Sequence, residues 1–213
     1  MIKYYESKYL VPNKDFTSLK NYLKNNFHKT DDFEKTTISS VYFDTREMNL
    51  YNLSLNGDNE KLKARIRWYE NKLNSKKLQF KFKDGLSVDK INLDYSKWKD
   101  NNKINLNKFL NQIGLENYFK IMEFTNSNIL IPIVKITYER NRYTNKSFRF
   151  NLDYNIKSEK FTVPKYNKEF KNSVLEIKSP YINQKNEIFD MYNLEQVSYS
   201  KYIIALKDPE YYS

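Results

Sequence analysis

The chain has 213 residues, with 37 Lys and Arg against 26 Asp and Glu, a formal net charge of +11, no Cys and a single His, His28. That balance points to an anionic partner: nucleic acid, a phosphorylated metabolite, polyphosphate or a membrane surface. The lack of Cys excludes disulfides and thiolate metal sites, the lone His removes His-based catalytic dyads, and no apolar run approaches the roughly 20 residues that span a bilayer.

Period-two alternation marks a first strand at "YYESKYLV" (4–11). Its surroundings, "MIKYYESKYL", hold no signal-peptide core, so a soluble cytoplasmic protein is expected. Asp15 then reads as the N-cap of a helix whose apolar face is Phe16, Leu19, Tyr22, Leu23 and Phe27. Strands follow at "TISSVYFD" (37–44), "KLKARIRWY" (61–69), "KLQFKFK" (77–83) and "SVDKINLD" (87–94), with Gly85 in the hairpin turn between the last two. Leu106, Phe109, Leu110 and Ile113 mark a second helix, ended by Gly114. "IVKITYER" (133–140), "SFRFNLDYNI" (147–156) and "SVLEIKS" (173–179) read as strands, 184–193 as a short helix and "KYIIAL" (201–206) as a last strand. With no repeat and no linker, the expectation is one α+β domain over residues 1–213, built on about eight or nine mostly antiparallel strands.

In "KLKARIRWYE" (61–70), Lys61, Lys63, Arg65 and Arg67 take every second position, and Leu62, Ala64, Ile66 and Trp68 fill the places between. A solvated edge would explain one such strand, but the pattern recurs. Glu6 and Lys8 oppose Tyr9 and Val11; Gln79, Lys81 and Lys83 oppose Leu78, Phe80 and Phe82. Arg149, Asn151 and Asp153 oppose Phe148, Phe150 and Leu152, and Glu176 and Lys178 oppose Leu175 and Ile177. A sandwich with its charges outside fits, and so does a closed barrel with charges lining the lumen, where about eight strands leave room for one small ligand. Ordinary solvent faces mix Ser, Thr, Gln and Glu with Lys. Here Arg or Lys stands beside an isolated carboxylate, which leans toward a phosphate-and-metal site. Two like charges about 6 Å apart at an effective dielectric near 20 repel by roughly 3 kcal/mol, so many cations in one lumen would select a polyanion.

These stretches resemble, in order, the motifs of the vacuolar transporter chaperone (VTC) domain, the polyphosphate polymerase branch of the triphosphate tunnel metalloenzymes of the CYTH superfamily. "YESKYLV", "SVYFDTREMNLY", "KARIRWYE", "LQFKFKDGLSVDK", "TYERNRY", "SFRFNLDYNI", "VLEIKSP" and "YSKYIIAL" carry the resemblance across nearly the whole chain. It implies an antiparallel closed β-barrel, a triphosphate tunnel of about eight strands with helices packed on the outside. It also implies metal-dependent transfer of the γ-phosphate of ATP onto inorganic polyphosphate, with Mn²⁺ or Mg²⁺ as cofactor. Carried over by position, the catalytic residues would be Arg65, Arg67, Lys81, Arg140 and Lys201. Lys8, Lys90, Tyr138, Arg149, Lys178 and Ser200 would bind phosphate or nucleotide, and Glu176 with Glu6 would hold the metal.

Three departures stand out: Tyr4 where the wider superfamily has a Glu, Gln79 where an acid is usual, and Ser198 where some relatives have Lys. The alternatives are a tunnel triphosphatase acting on inorganic triphosphate or a nucleic-acid 5′-triphosphate end, and a non-catalytic polyanion binder. Nucleic acid itself is disfavoured, because the aromatics segregate from the cations instead of interleaving with them. A membrane partner, if there is one, would be a separate protein.

Overall fold

A computed structural model describes residues 5–29, 35–70, 72–85, 87–99, 102–145, 147–180 and 187–207. Its strands are β1 (Tyr5–Val11), β2 (His28–Lys29), β3 (Lys35–Asp44), β4 (Glu60–Tyr69), β5 (Lys72–Asp84), β6 (Ser87–Asp94), β7 (Ile104–Asn105), β8 (Ile129–Thr144), β9 (Arg149–Lys160), β10 (Asn167–Glu169) and β11 (Ser173–Ser179). Its helices are α1 (Asn13–Asn26), α2 (Asn49–Leu55), α3 (Leu110–Ile113), α4 (Leu115–Thr125), α5 (Glu187–Met191) and α6 (Lys201–Leu206). Hydrogen-bonded neighbours follow the order β1-β11-β9-β8-β3-β4-β5-β6, with β10 beside β9 and both β2 and β7 beside β8.

That order corrects the closed barrel. It is a path with β1 at one end and β6 at the other, and among the described residues the ladder does not join into a ring. A second correction concerns "KYIIAL". The segment read as a further strand is helix α6, with Tyr202, Ala205 and Leu206 buried at helical spacing. A short apolar run cannot be told from a buried helical turn by period alone.

The chain groups into two compact units, the first from Met1–Ile38, Thr137–Lys157 and Glu169–Ser200, the second from Ser39–Ile136, Ser158–Lys168 and Lys201–Ser213. In the first, alternation along β9 and β11 buries Phe148, Phe150, Leu152, Leu175 and Ile177. Leu19 and Leu23 of α1 and Ile188 of α5 join the same core. The expected cap of α1 is corrected: Pro12 is the N-cap, and Asp15 sits in the first turn, where its charge suits the positive helix end. The third expected helix is α5, and residues 184–186 of that expectation lie outside the described residues.

In the second unit, β4 alternates without a break, burying Leu62, Ala64, Ile66 and Trp68 and leaving Lys61, Lys63, Arg65 and Arg67 half-buried. Each of the larger apolar side chains contributes about 1.5–3 kcal/mol on leaving water. They meet Leu78 and Phe80 of β5, and Trp98, Leu106, Ile113 and Ile121 close the same core. The β5–β6 hairpin turns through Gly85 at φ +52°, as expected. Gly114 ends α3, as expected. At φ 80° and ψ 153°, a conformation essentially reserved for Gly, it separates α3 from α4, which the sequence reading lacked. Helix α2 was also unforeseen. Its free amides are taken by Asp44, whose carboxylate accepts from Leu50 N at 2.9 Å and Tyr51 N at 2.8 Å.

Candidate functional site

The second unit carries a cationic ladder. Cross-strand register sets Lys61 against Lys83, Lys63 against Lys81, Arg65 against Gln79 and Arg67 against Lys77. On the other side of β5, Lys81 faces Lys90 and Gln79 faces Asn92. Like charges placed directly opposite are destabilising. Burial, together with Lys83, pulls the Lys61 ammonium below its ordinary value.

Two of the donors of Arg65 go to uncharged partners. Its Nε donates to Gln79 Oε1 at 2.9 Å and its Nη1 to Tyr42 Oη at 3.2 Å. Gln79 Nε2 in turn donates to Asn92 Oδ1 at 2.7 Å. The Arg67 guanidinium lies 5.7 Å from the Tyr69 ring centre, and its Nε is buried with no hydrogen-bond acceptor among the described residues. Such an orphaned donor favours an incoming anion.

Tyr42 is the residue the sequence reading missed here. Burial alone would raise its hydroxyl, but Arg65, by charge and hydrogen bond, and then Lys201 and Arg67 together bring it below the ordinary tyrosine value. Its ring stacks on Tyr202 with centroids 4.8 Å apart. Tyr202 Oη donates to Asp44 Oδ2 at 2.7 Å, and burial first, then Asp44, drives that hydroxyl well above its ordinary value. Asp44 is itself raised by burial, partly offset by its Tyr202 and backbone donors. One buried carboxylate thus caps α2 and anchors Tyr202, the neighbour of Lys201. A signal for Tyr202 was present in "SKY", where it follows Ser200 and Lys201, whereas "YFD" holds Tyr42 and Asp44 with no expected phosphate residue beside them.

The first unit is built on the opposite plan, with cations and carboxylates interleaved. Glu6 stands directly across from Lys178, and Lys8 across from Glu176. Lys178 Nζ lies 3.4 Å from Glu6 Oε2 and 3.3 Å from Glu176 Oε1. Lys8 Nζ is 3.4 Å from Glu6 Oε1 and donates to the Tyr199 carbonyl at 3.0 Å. Asn151 Nδ2 donates to Glu176 Oε1 at 2.9 Å, and Arg140 Nη2 is 3.8 Å from Glu176 Oε2. Arg140 forks onto the fully buried Asp153 through Nε and Nη2, at 2.5 and 2.8 Å. Its guanidinium lies 5.4 Å from the Tyr138 ring centre.

Of the expected site residues, Glu6, Lys8, Tyr138, Arg140, Glu176 and Lys178 are therefore brought together in this unit. Arg149 is exposed and directly opposite Lys178, and Ser200 is half-buried next to Tyr199. Arg65, Arg67, Lys81 and Lys90 share the ladder of the second unit, with Lys201 opening α6. Tyr4 lies outside the described residues. Asn151 and Asp153, read as part of the charged face, are bonded to Glu176 and Arg140 respectively.

For a divalent ion the donor set is two carboxylates, Glu6 and Glu176, with one ammonium between them. Among the described residues no group of three or more His, Cys, Asp or Glu could hold a metal. One or two carboxylates completed by substrate phosphates is a usual arrangement for Mg²⁺. The residues therefore fit an ion shared with a phosphate, not an all-protein cage.

A separate open cavity of about 880 Å³ in the first unit is lined by Phe16, Glu139, Tyr154, Asn155 and Glu169 among others. Tyr138 is the one expected site residue on its wall. Several of its charged groups are paired: Glu139 with Asn155 at 2.7 Å and Lys35 at 3.1 Å, and Lys157 with Glu169 at 2.6 Å.

Residues 3–208 match the family model of the VTC domain. The chain belongs to the VTC domain family. Three solved structures share the fold of this VTC domain. A candidate adenylate cyclase of Bacillus halodurans aligns with a TM-score of 0.56 at 16% identity, over 95% of this chain and 96% of that one. A candidate adenylyl cyclase from Hippeastrum, described as having a dominant triphosphatase activity, aligns at 0.52 and 11%, over 95% of both. A candidate adenylate cyclase of Vibrio parahaemolyticus aligns at 0.52 and 12%, over 94% and 97%. No curated protein matches the chain. No helix among the described residues is long and apolar enough to cross a membrane.

Proposed function

We propose that this VTC domain is a cytoplasmic polyphosphate polymerase that transfers the γ-phosphate of ATP onto a growing inorganic polyphosphate chain, with Mn²⁺ or Mg²⁺. The observation that carries the reading is the ladder of directly opposed cations, Lys61 with Lys83, Lys63 with Lys81 and Arg67 with Lys77, which a bound polyanion would relieve. In the transfer, an oxygen of the chain's terminal phosphate forms the new bond to the γ-phosphorus. The bridging oxygen between the β- and γ-phosphorus then leaves with ADP. The attacking phosphate is already anionic at neutral pH, so no general base is needed, consistent with a chain that holds one His. Positioning and charge stabilisation do most of the work in phosphoryl transfer.

Arg65, oriented by Gln79 and Tyr42, and Arg67, with its unmatched Nε, offer planar donors suited to phosphate oxygens. Lys81, Lys90 and Lys201 add point charges, as do Lys8, Lys178 and Arg149, with hydrogen bonds from Tyr138 and Ser200. Arg140 commits Nε and Nη2 to Asp153, so its part in catalysis is mainly to hold Glu176 in place. Glu176 and Glu6 would hold the divalent ion, which when bound neutralises charge on the phosphate oxygens.

The second reading is hydrolysis of a triphosphate, to which the likeness to the Hippeastrum protein lends weight. Incubation with ATP and Mn²⁺ followed by gel separation divides the readings. Long chains support the polymerase, free orthophosphate supports the triphosphatase, and unchanged ATP leaves a polyanion binder.

A further inference from the structure

Lys178 occupies an unusual position. Its ammonium bridges the two carboxylates assigned above to the metal, at 3.4 Å from Glu6 and 3.3 Å from Glu176. The neighbouring cations are placed differently. Lys8 pairs with Glu6 and is tied by a hydrogen bond to the Tyr199 carbonyl. Arg140 approaches Glu176 at 3.8 Å while its fork is committed to Asp153. Across the next ladder Arg149 stands directly opposite Lys178, and like charges in that relation repel, which favours the ammonium leaning toward Glu6. The side chains of Lys178 and Glu6 are each 28% exposed, so the bridge lies within reach of solvent and ions.

We propose that Lys178 is a built-in competitor of the divalent ion: its ammonium and the metal exchange for the same pair of carboxylates, and the released side chain becomes the phosphate contact. This rests on the assignment of Glu6 and Glu176 as metal ligands made above. A Mg²⁺-like ion draws its oxygens in to about 2.0–2.1 Å and repels a neighbouring ammonium, so ion and bridge exclude one another. The exchange also reconciles two roles that the resting geometry keeps apart. Lys178 turns two of its three donors to carboxylates in the resting geometry, and once displaced it can turn all three to phosphate oxygens. A site of this kind stays closed to metal until a polyanion offers the ammonium somewhere else to go, and the coupling is reciprocal.

The test is Mn²⁺ binding to the full chain without nucleotide or phosphate, followed by the loss of the free-ion electron paramagnetic resonance signal. Lys178→Met keeps the stem and removes the charge, and it is expected to bind Mn²⁺ about tenfold or more tightly than the wild type. Lys8→Met removes a charge at the same distance from Glu6 that does not bridge, and it is expected to gain less than about threefold. Lys178→Ala should behave as Lys178→Met does, covering a fold specific to the Met variant. Equal or weaker binding by both Lys178 variants overturns the exchange, as does a gain for Lys8→Met as large as that for Lys178→Met. Absence of Mn²⁺ binding in every protein at millimolar metal overturns both the exchange and the metal assignment. Wild-type polyphosphate synthesis, read separately on the gel, tests the parent reading by itself.

Discussion

The two units use one sequence device to opposite ends. In both, strands alternate a charged face with an apolar one. In the first unit, cross-strand register pairs Lys8 with Glu176 and Glu6 with Lys178, so each charge meets its opposite. In the second, register pairs Lys61 with Lys83 and Lys63 with Lys81, so each meets its like. The first arrangement is close to neutral and gains from its own contacts. The second sets like charge against like, at a cost to stability. A face of charged residues therefore says little until its register is known, because pairing decides whether it acts as structure or as a binding surface.

The sharpest way to break the first arrangement is Arg140→Met, which takes the bidentate partner away from the fully buried Asp153. A loss of about 3–5 kcal/mol is expected, seen as a lower midpoint in urea unfolding. The second arrangement should respond in the opposite sense. Arg65→Ala with Arg67→Ala is expected to weaken binding of inorganic tripolyphosphate about a hundredfold by calorimetry, roughly 3 kcal/mol from two charged donors. The melting temperature should hold or rise, since the repulsion between Arg67 and Lys77 disappears; a large fall would make these arginines structural.

Next in size is Tyr202→Phe, which removes a donor from buried Asp44 at an expected cost of about 1–2 kcal/mol. The sign of its pH dependence is specific. Burial already holds the Asp44 carboxyl above 3.8, and losing the Tyr202 donor raises it further. The folded state then keeps its proton over a wider window, so stability falls as pH rises through that window, a trend opposite to ordinary acid denaturation. Thermal melts of the variant between pH 4 and 7 check the direction. Smallest is Lys83→Glu, which converts one rung of the ladder to the first unit's pattern and should stabilise by about 0.2–1 kcal/mol. Nuclear magnetic resonance titration should show the Lys61 pKa moving up as Lys83's part of the depression reverses, while the part due to burial remains.

Much of the fold was legible because β4, β5, β9 and β11 alternate apolar with charged or polar residues, and a period of two is unmistakable when the apolar positions are Leu, Ile and Phe. What was not legible depended on partners distant in sequence. Helix α2 is capped by the side chain of Asp44, five residues before it begins, and α6 is helical with Tyr202 reaching a carboxylate 158 positions earlier. The open ladder was not legible either, since alternation along single strands does not say whether the two ends of a sheet meet. At the site, residue types were recoverable, but their grouping was not. Nothing local in "NLD" says that Asn151 will steady Glu176 or that Asp153 will take the fork of Arg140.

Gln79 gives the arginines a last distinction. A guanidinium can be aimed by a carboxylate, as Arg140 is, or by an amide, as Arg65 is. The first fixes direction and extinguishes the field; the second fixes direction and leaves the field intact. An uncharged oxygen at this rung thus aims the arginine without itself cancelling the charge it aims.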